Sequence, residues 1–99
     1  MTINCAFIGF GKSTTRYHLP YVLHRKATFH VAHIFRRHPK PELESHPRYQ
    51  HIHFTSDLDD ILNDDSVKLV VICTHADSHF DYAKRALEAG KNVLEVGGQ

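Results

Sequence analysis

The sequence predicts a doubly wound α/β fold, in which a parallel sheet of about five strands carries helices on both faces. Three observations support this fold class. Short apolar, β-prone runs alternate with helical segments along the 99 residues. The most apolar run, residues 67–73, is continuous rather than alternating, which is typical of a central strand covered on both faces. A glycine-rich turn directly follows the first run.

The predicted strands are residues 3–8, 29–35, 51–54, 67–73 and 92–96. With right-handed crossovers, this succession gives the strand order 3-2-1-4-5 of a Rossmann-type sheet. The first and fourth strands are then neighbours. We therefore expect Cys5 and Cys73 to lie close together, as reduced core residues rather than as a redox pair.

The predicted helices occupy most of the segments between the strands. Residues 12–25 are helical in pattern, but Pro20 should kink or split that helix. Residues 36–50 contain three prolines and are predicted to form a loop, with one helical turn at 41–45. Ser56 is the expected cap of a helix over 57–63, with Asp59 in the reciprocal capping position.

The clearest helix is predicted over residues 77–89. Phe80, Ala83 and the Ala86/Leu87 pair recur at helical spacing and are the expected core face. Gly90 supplies a left-handed stop.

Charge is distributed unevenly along the chain. Residues 1–41 hold seven basic side chains and no carboxylate, whereas residues 42–99 hold five basic and eleven acidic side chains. This asymmetry favours an anionic ligand near the N-terminal half, although solvated surface charge would give the same count.

The glycine turn is the expected anion site, because ligands of this fold bind where the strand order reverses, at the carboxyl ends of the strands. Gly9 allows a tight turn and Gly11 lets a pyrophosphate approach the backbone, while Lys12 and Ser13 add a charge and a hydroxyl. The third glycine of the dinucleotide fingerprint is replaced by Thr14. A tight turn without a ligand is the alternative. A P-loop is excluded by spacing.

The end of the second strand bears on the choice of cofactor. Arg36 and Arg37 stand where an NAD-selective site carries an acidic residue, and no carboxylate occurs before Glu42. Two guanidinium groups favour a 2′-phosphate, so we expect NADP(H) in preference to NAD(H). Alternatively, Arg36 stacks on the adenine and both cofactors are usable.

Ten histidines are many for this length, and the pairs 30/33, 51/53 and 75/79 have spacings that could chelate a metal. Strand geometry places His30 and His33 on opposite faces, and neither they nor the 51/53 pair have an evident third ligand. A metal site is therefore the weakest interpretation. His75 and His79 bracket a helix start at the ligand end of the sheet, where we expect them beside the cofactor.

Three segments carry a resemblance to a known family. They are Ala6-Phe7-Ile8-Gly9-Phe10-Gly11, then Val70-Val71-Ile72-Cys73-Thr74 with His75-Ala76-Asp77-Ser78-His79, and Ala86-Leu87-Glu88-Ala89-Gly90-Lys91-Asn92-Val93-Leu94. From residue 3 to about 95 the chain resembles the N-terminal domain of the Gfo/Idh/MocA (glucose–fructose oxidoreductase/inositol dehydrogenase) family. The resemblance implies hydride transfer between NAD(P) and a sugar, polyol or related alcohol.

The resemblance also implies roles for individual residues. Thr74, His75, Asp77 and His79 match positions near the nicotinamide ribose, and Glu95 matches the glutamate of a Glu-Lys-Pro motif whose lysine often serves in proton transfer. Val96 and Gly97 stand in place of that lysine and proline, so we assign no catalytic residue. The expected cofactor-binding residues are Gly9, Phe10, Gly11, Lys12, Ser13, Thr14, Arg36, Arg37, Thr74, His75, Asp77, His79 and Glu95.

The sequence is therefore expected to be one NAD(P)-binding domain, residues 1–99, without the family's C-terminal substrate domain and not catalytic by itself. A non-enzymatic nucleotide-binding or interaction module is the alternative. We expect no nucleic-acid partner, and no membrane partner because no apolar run approaches about 20 residues. No signal peptide is evident, which favours the cytoplasm. An exposed edge at the last strand favours self-association into homo-oligomers.

Overall fold

A five-stranded parallel sheet organises the computed structural model, which describes residues 2–10, 19–25, 27–74 and 76–96, and the side chains of these residues except 76–79. The strands are β1 (Ile3–Ile8), β2 (Phe29–Phe35), β3 (His53–Thr55), β4 (Val67–Ile72) and β5 (Asn92–Glu95). Their order is β3-β2-β1-β4-β5, and every neighbouring pair is parallel. The predicted fold class and strand order are confirmed.

The helices are α1 (Leu19–Leu23), α2 (Pro41–Glu44), α3 (Asp59–Leu62) and α4 (Ala76–Glu88), with a 3₁₀ turn at Pro47–Tyr49. The predicted helical turn after the second strand and the predicted long helix are confirmed. Pro20 lies within α1, while residues 12–18 of the predicted first helix lie outside the described residues. None of the helices in the described ranges is long and apolar enough to cross a membrane.

The helices cover both faces of the sheet. On one face, alternate residues of the central strands, such as Ala6 and Val70, pack against Ile61 of α3 and Ala86 of α4. On the other face, Phe7 and Ile34 pack in a cluster with Leu19 of α1, Phe10 and Tyr49. Helical layers on both faces are what a buried parallel sheet requires.

Two register shifts flank β1. Cys5 is opposite Val31 but Ala6 is opposite His33, so Ala32 is an additional residue in β2. Likewise Asn4 is opposite Val67 but Cys5 is opposite Leu69, so Lys68 is an additional residue in β4.

The expectation that Cys5 and Cys73 lie close together was wrong. The register places Cys5 opposite Leu69, four positions before Cys73. At about 3.3 Å per residue, this separates the two cysteines by roughly 13 Å along the strand direction. Neither forms a disulfide, and Cys5 is buried. Adjacency of two strands therefore did not imply adjacency of these two residues.

The predicted core face of α4 was partly wrong. Ala83 and Ala86 are buried as expected, together with Tyr82, but Phe80 is 78% exposed and Leu87 is 60% exposed. The sheet is contacted by the stripe that contains the alanines, whose small side chains allow the helix to approach it closely. The end of the helix was predicted correctly. Gly90 has φ +81°, its N–H bonds to Leu87, and the following N–H bonds back to Ala86.

Two local predictions near β3 were also wrong. This strand begins at His53 rather than at residue 51, because the 3₁₀ turn continues into a bond from the Ile52 N–H to the Tyr49 carbonyl at 2.9 Å. The short helix α3 begins at Asp59 rather than at residue 57, and Ser56 does not cap it. Instead, Asp57 Oδ1 accepts the Asp59 N–H at 3.0 Å.

Candidate functional site

The carboxyl edge of the sheet collects the residues that the sequence placed at a ligand site. Gly9 and Phe10 follow β1, Arg36 and Arg37 follow β2, Thr74 lies just after β4, and Glu95 is the last residue of β5. Because the strands are parallel, all of these positions lie at one edge. Gly11, Lys12, Ser13, Thr14 and His75 lie outside the described residues, and Asp77 and His79 belong to the first turns of α4.

The turn after β1 requires glycine at its first position. Gly9 has φ +113°, a backbone conformation that residues with a side chain rarely adopt. A methyl group there would lie 3.0 Å from the Cys73 carbonyl oxygen and 3.3 Å from Thr74 Cγ2. The Gly9 N–H bonds to the Phe35 carbonyl at 2.9 Å, which fixes the turn against β2 as well. The glycine turn is thus held where the strand order reverses.

Phe10 contributes only its backbone to this edge. Its ring is 4% exposed and packs edge-on against Phe54 and Tyr49, with centroid separations of 5.1 and 5.8 Å. Its carbonyl oxygen accepts a hydrogen bond from Lys40 Nζ at 3.0 Å. Lys40, which the sequence analysis did not single out, therefore ties the loop after β2 to the glycine turn.

Arg36 is held by a carboxylate from α2. Its Nε and Nη2 donate to Glu44 Oε2 and Oε1 at 2.8 and 3.0 Å, which is a bidentate ion pair. Its Nη1 donates to Ser56 Oγ at 3.0 Å. The two charged side chains are only 13% and 14% exposed.

The environment of Glu44 favours its ionised form. The hydrogen bond from Arg36 lowers the pKa of Glu44 most, and the backbone N–H of Lys40, 2.6 Å from Oε2, lowers it further against the effect of burial. No carboxylate precedes Glu42 in the sequence, and this contact was not predicted. Glu44 comes later in the chain, and the loop after β2 folds it back onto Arg36.

Arg37 is exposed at the same edge. Its Nη2 lies 3.4 Å from the Tyr82 hydroxyl of α4, so the side chain reaches toward the neighbouring helix. Arg36, Arg37 and Lys40 together keep the end of β2 cationic, and one carboxylate, Glu44, is embedded among them.

Among the histidines whose side chains the structure describes, one close pair lies on the sheet face that α3 and α4 cover. His33 and His53 are opposite each other in β2 and β3, and their Nδ1 atoms are 3.0 Å apart. His33 Nε2 is 2.7 Å from Asp64 Oδ2. Within the described ranges no group of three or more His, Cys, Asp or Glu side chains could hold a metal ion.

Asp64 is the centre of a polar network on this face. Its Oδ1 accepts the N–H and hydroxyl of Ser66 at 2.9 and 2.6 Å. Its carbonyl accepts Nζ of the buried Lys91 at 2.6 Å. These bonds join the turn before β4 to the start of β5, away from the carboxyl edge.

An apolar cavity of about 210 Å³ lies on the opposite face, between α1 and strands β1, β4 and β5. Its walls are hydrophobic side chains such as Phe7, Leu69 and Val71. None of the described residues that line it is charged, so it is a poorer site for an anionic ligand than the cationic carboxyl edge.

Comparison with known proteins agrees with this geometry. The family model that describes oxidoreductases with an NAD-binding Rossmann fold matches residues 3–95. The chain belongs to the Gfo/Idh/MocA oxidoreductase family. The recognition made from three sequence segments is therefore confirmed, and a nicotinamide dinucleotide is the ligand class of this family's Rossmann domain.

Several oxidoreductases resemble this chain in sequence and in structure. The uncharacterized oxidoreductase YhhX of Escherichia coli (strain K12) is 82% identical over 94 residues, which are 95% of this chain and 27% of YhhX. A crystal structure of YhhX superposes with a TM-score of 0.90 over 94% of this chain. An oxidoreductase from Bacillus cereus is 43% identical with a TM-score of 0.87, covering 94% of this chain and 26% of that one.

A third similar structure contains a cofactor. KijD10, a 3-ketoreductase from Actinomadura kijaniata solved in complex with NADP and TDP-benzene, is 25% identical with a TM-score of 0.83. The match covers 96% of this chain and 29% of KijD10. The present chain thus spans little more than a quarter of the length of these similar proteins.

Proposed function

We propose that residues 1–99 form the NADP(H)-binding domain of an oxidoreductase that acts on a sugar, polyol or related alcohol, with NAD(H) also usable. The observation that carries this proposal is the glycine turn. Gly9 adopts φ +113° and is packed against the backbone after β4, at the point where the strand order reverses. Dinucleotides bind to folds of this class at that point.

In this proposal, different residues of the carboxyl edge bind different parts of the cofactor. The turn of Gly9, Phe10 and Gly11 lets the pyrophosphate approach the backbone, and Lys12, Ser13 and Thr14 are its further partners. Arg36 and Arg37 face the adenosine ribose, where a 2′-phosphate would find cationic donors. Thr74, His75, Asp77, His79 and Glu95 are the proposed contacts of the nicotinamide ribose, as the family resemblance implies.

This division of roles assigns binding and orientation to the domain, and no catalytic step. When bound, a nicotinamide cofactor would supply hydride-transfer chemistry, and the protein would have to hold a substrate carbon against it. We propose that the substrate-holding groups lie outside residues 1–99, so that this domain alone binds cofactor without turnover. We also propose that the edge strand β5 allows self-association.

Two features support NADP(H) as the favoured cofactor. The end of β2 carries three cationic side chains, Arg36, Arg37 and Lys40, around one carboxylate. In addition, KijD10, a relative of 25% identity, was solved with NADP.

Calorimetric titration of the purified chain with NADPH and with NADH tests the proposal. Both should bind, NADPH more tightly. Arg37→Ala should lower the affinity for NADPH by about tenfold or more, because a hydrogen bond to a charged group contributes about 1.5–3 kcal/mol. The affinity for NADH should fall much less. Arg48→Ala is the matched control, since Arg48 is also exposed but lines a cavity with the first residues of β2, at the opposite edge.

The result that overturns the proposal is the absence of heat and of a fluorescence change with both dinucleotides. Equal losses for Arg37→Ala and Arg48→Ala would overturn the placement of the 2′-phosphate at the end of β2. Oxidation of an alcohol by the 99-residue chain would refute the statement that the domain is not catalytic alone.

A further inference from the structure

The ion pair between Arg36 and Glu44 lies just after β2, where the proposed function puts the adenosine ribose, the part in which the two nicotinamide cofactors differ. Arg36 is the first residue after β2, and its guanidinium is gripped from two sides, by the Glu44 carboxylate and by the Ser56 hydroxyl. Of the five N–H bonds that a guanidinium offers, these contacts use three and leave two. Arg36 is thus held in one orientation but keeps two N–H groups that could donate to a ligand.

Glu44 organises more than this one side chain. Its Oε2 also accepts the backbone N–H of Lys40 at 2.6 Å, and Lys40 Nζ in turn reaches the Phe10 carbonyl of the glycine turn. One carboxylate therefore sets the orientation of Arg36 and the path of the loop that joins β2 to α2. Its low exposure makes its negative charge less screened than that of a surface carboxylate.

The charge of Glu44 has opposite consequences for the two cofactors. A 2′-phosphate that approaches Arg36 also approaches the Glu44 carboxylate, and the two like charges repel. The 2′-hydroxyl of NAD(H) carries no charge and meets no such repulsion. The carboxylate that positions the arginine therefore also cancels much of its attraction for phosphate.

We propose that Glu44 is a specificity-determining residue, which positions Arg36 and limits the preference of the site for NADP(H) over NAD(H). The inference rests on the proposed function, because it requires that a dinucleotide binds with its adenosine ribose at the end of β2. It is consistent with the proposal that both cofactors are usable although two arginines follow β2.

The test compares cofactor affinities of Glu44→Gln with those of the wild-type chain. Glutamine keeps the length and one acceptor for Arg36 but removes the negative charge. NADPH should bind about fivefold to tenfold more tightly, because the substitution removes a negative charge that would repel the 2′-phosphate. NADH affinity should change by less than about twofold, because its ribose carries no phosphate charge for the carboxylate to act on.

Glu42→Gln is the matched control, because Glu42 lies on the same helix α2, is exposed, and its loss changes the net charge equally. It should leave the ratio of the two affinities unchanged. Any loss of stability in Glu44→Gln weakens both cofactors by the same factor, so the ratio reports on the site and not on folding.

Arg36→Ala completes the comparison. It should weaken NADPH more than NADH, and addition of Glu44→Gln to Arg36→Ala should recover part of the NADPH affinity. An unchanged ratio in Glu44→Gln, or an equal change in Glu42→Gln, would overturn the role of Glu44 while leaving dinucleotide binding intact. Failure of the wild-type chain to bind either dinucleotide would instead overturn the proposed function and this inference together.

Discussion

Replacing Gly9 with alanine should destabilise the fold more than replacing any glycine that is needed only for its backbone angle. At φ +113° an alanine is strained, which costs about 1–3 kcal/mol. The added methyl group would also press against the Cys73 carbonyl oxygen at 3.0 Å and its carbon at 3.1 Å. That carbonyl belongs to backbone fixed by the bond from the Cys73 N–H to Ile8. Overpacking against such a wall adds about 1–3 kcal/mol.

Gly90→Ala separates these two contributions. Gly90 also has a positive φ, +81°, but a methyl group there would meet nothing within 4 Å. Its substitution should cost only the backbone strain, about 1–2 kcal/mol. We therefore expect Gly9→Ala to exceed Gly90→Ala by about 1 kcal/mol or more, a large part of the roughly 5–15 kcal/mol that stabilises a domain.

Urea unfolding followed by far-ultraviolet circular dichroism measures both variants. With a slope of about 1 kcal/mol per molar urea, the midpoint of Gly9→Ala should lie about 1 M or more below that of Gly90→Ala. Equal midpoints would show that the turn after β1 can move away from the end of β4. The reasoning that the glycine is required by close packing would then be refuted.

Two further predictions concern titratable groups. Burial raises the pKa of Cys5 to about 11, so a thiol reagent at pH 8 should label Cys5 only as the chain unfolds, and Cys73→Ser should abolish rapid labelling. Hydrogen bonds from Ser66 and then His33 lower the pKa of Asp64 to about 2. The ionised Asp64 therefore stabilises the fold at pH values above its unfolded-state pKa of about 3.9, and this stabilisation is lost as the pH falls through about 2. In Asp64→Asn the urea midpoint should consequently depend less on pH between pH 4 and 2. A fast-labelling Cys5, or an unchanged pH profile, would contradict these assignments.

The sequence was sufficient for the bounds of β1 and β2 because their signal is local. Residues 3–8 and 29–35 were predicted with the bounds that the structure has, since each is a short apolar run between turn residues. The face of α4 was harder to predict. Phe80 and Leu87 are the larger apolar residues, yet the alanine stripe faces the sheet. Helical spacing defines a stripe but does not state which of two stripes is closer to the sheet.

The site was predictable only where the chain is locally constrained. Gly9 and the arginines after β2 follow directly from the positions of strand ends. The partners of Arg36 do not, because Glu44 and Ser56 reach it through the folded path of a proline-rich loop and through β3. Ser56 shows the same limit, since a hydroxyl well placed to cap a helix bonds to Arg36, and Asp57 bonds the helix N–H.

Because of the register shifts beside β1, the number of residues in β2 and β4 cannot change without moving side chains to the wrong face of the sheet. Val31 and Ile34 face the same layer although they are three residues apart, and so do Val67 and Val70. The additional residues Ala32 and Lys68 make this possible, because side chains alternate along a strand. If Ala32 were removed, the side chains of β2 on one side of the deletion would point to the opposite face of the sheet. Related chains should therefore tolerate many substitutions within β2 and β4. Their insertions and deletions should lie outside these two strands.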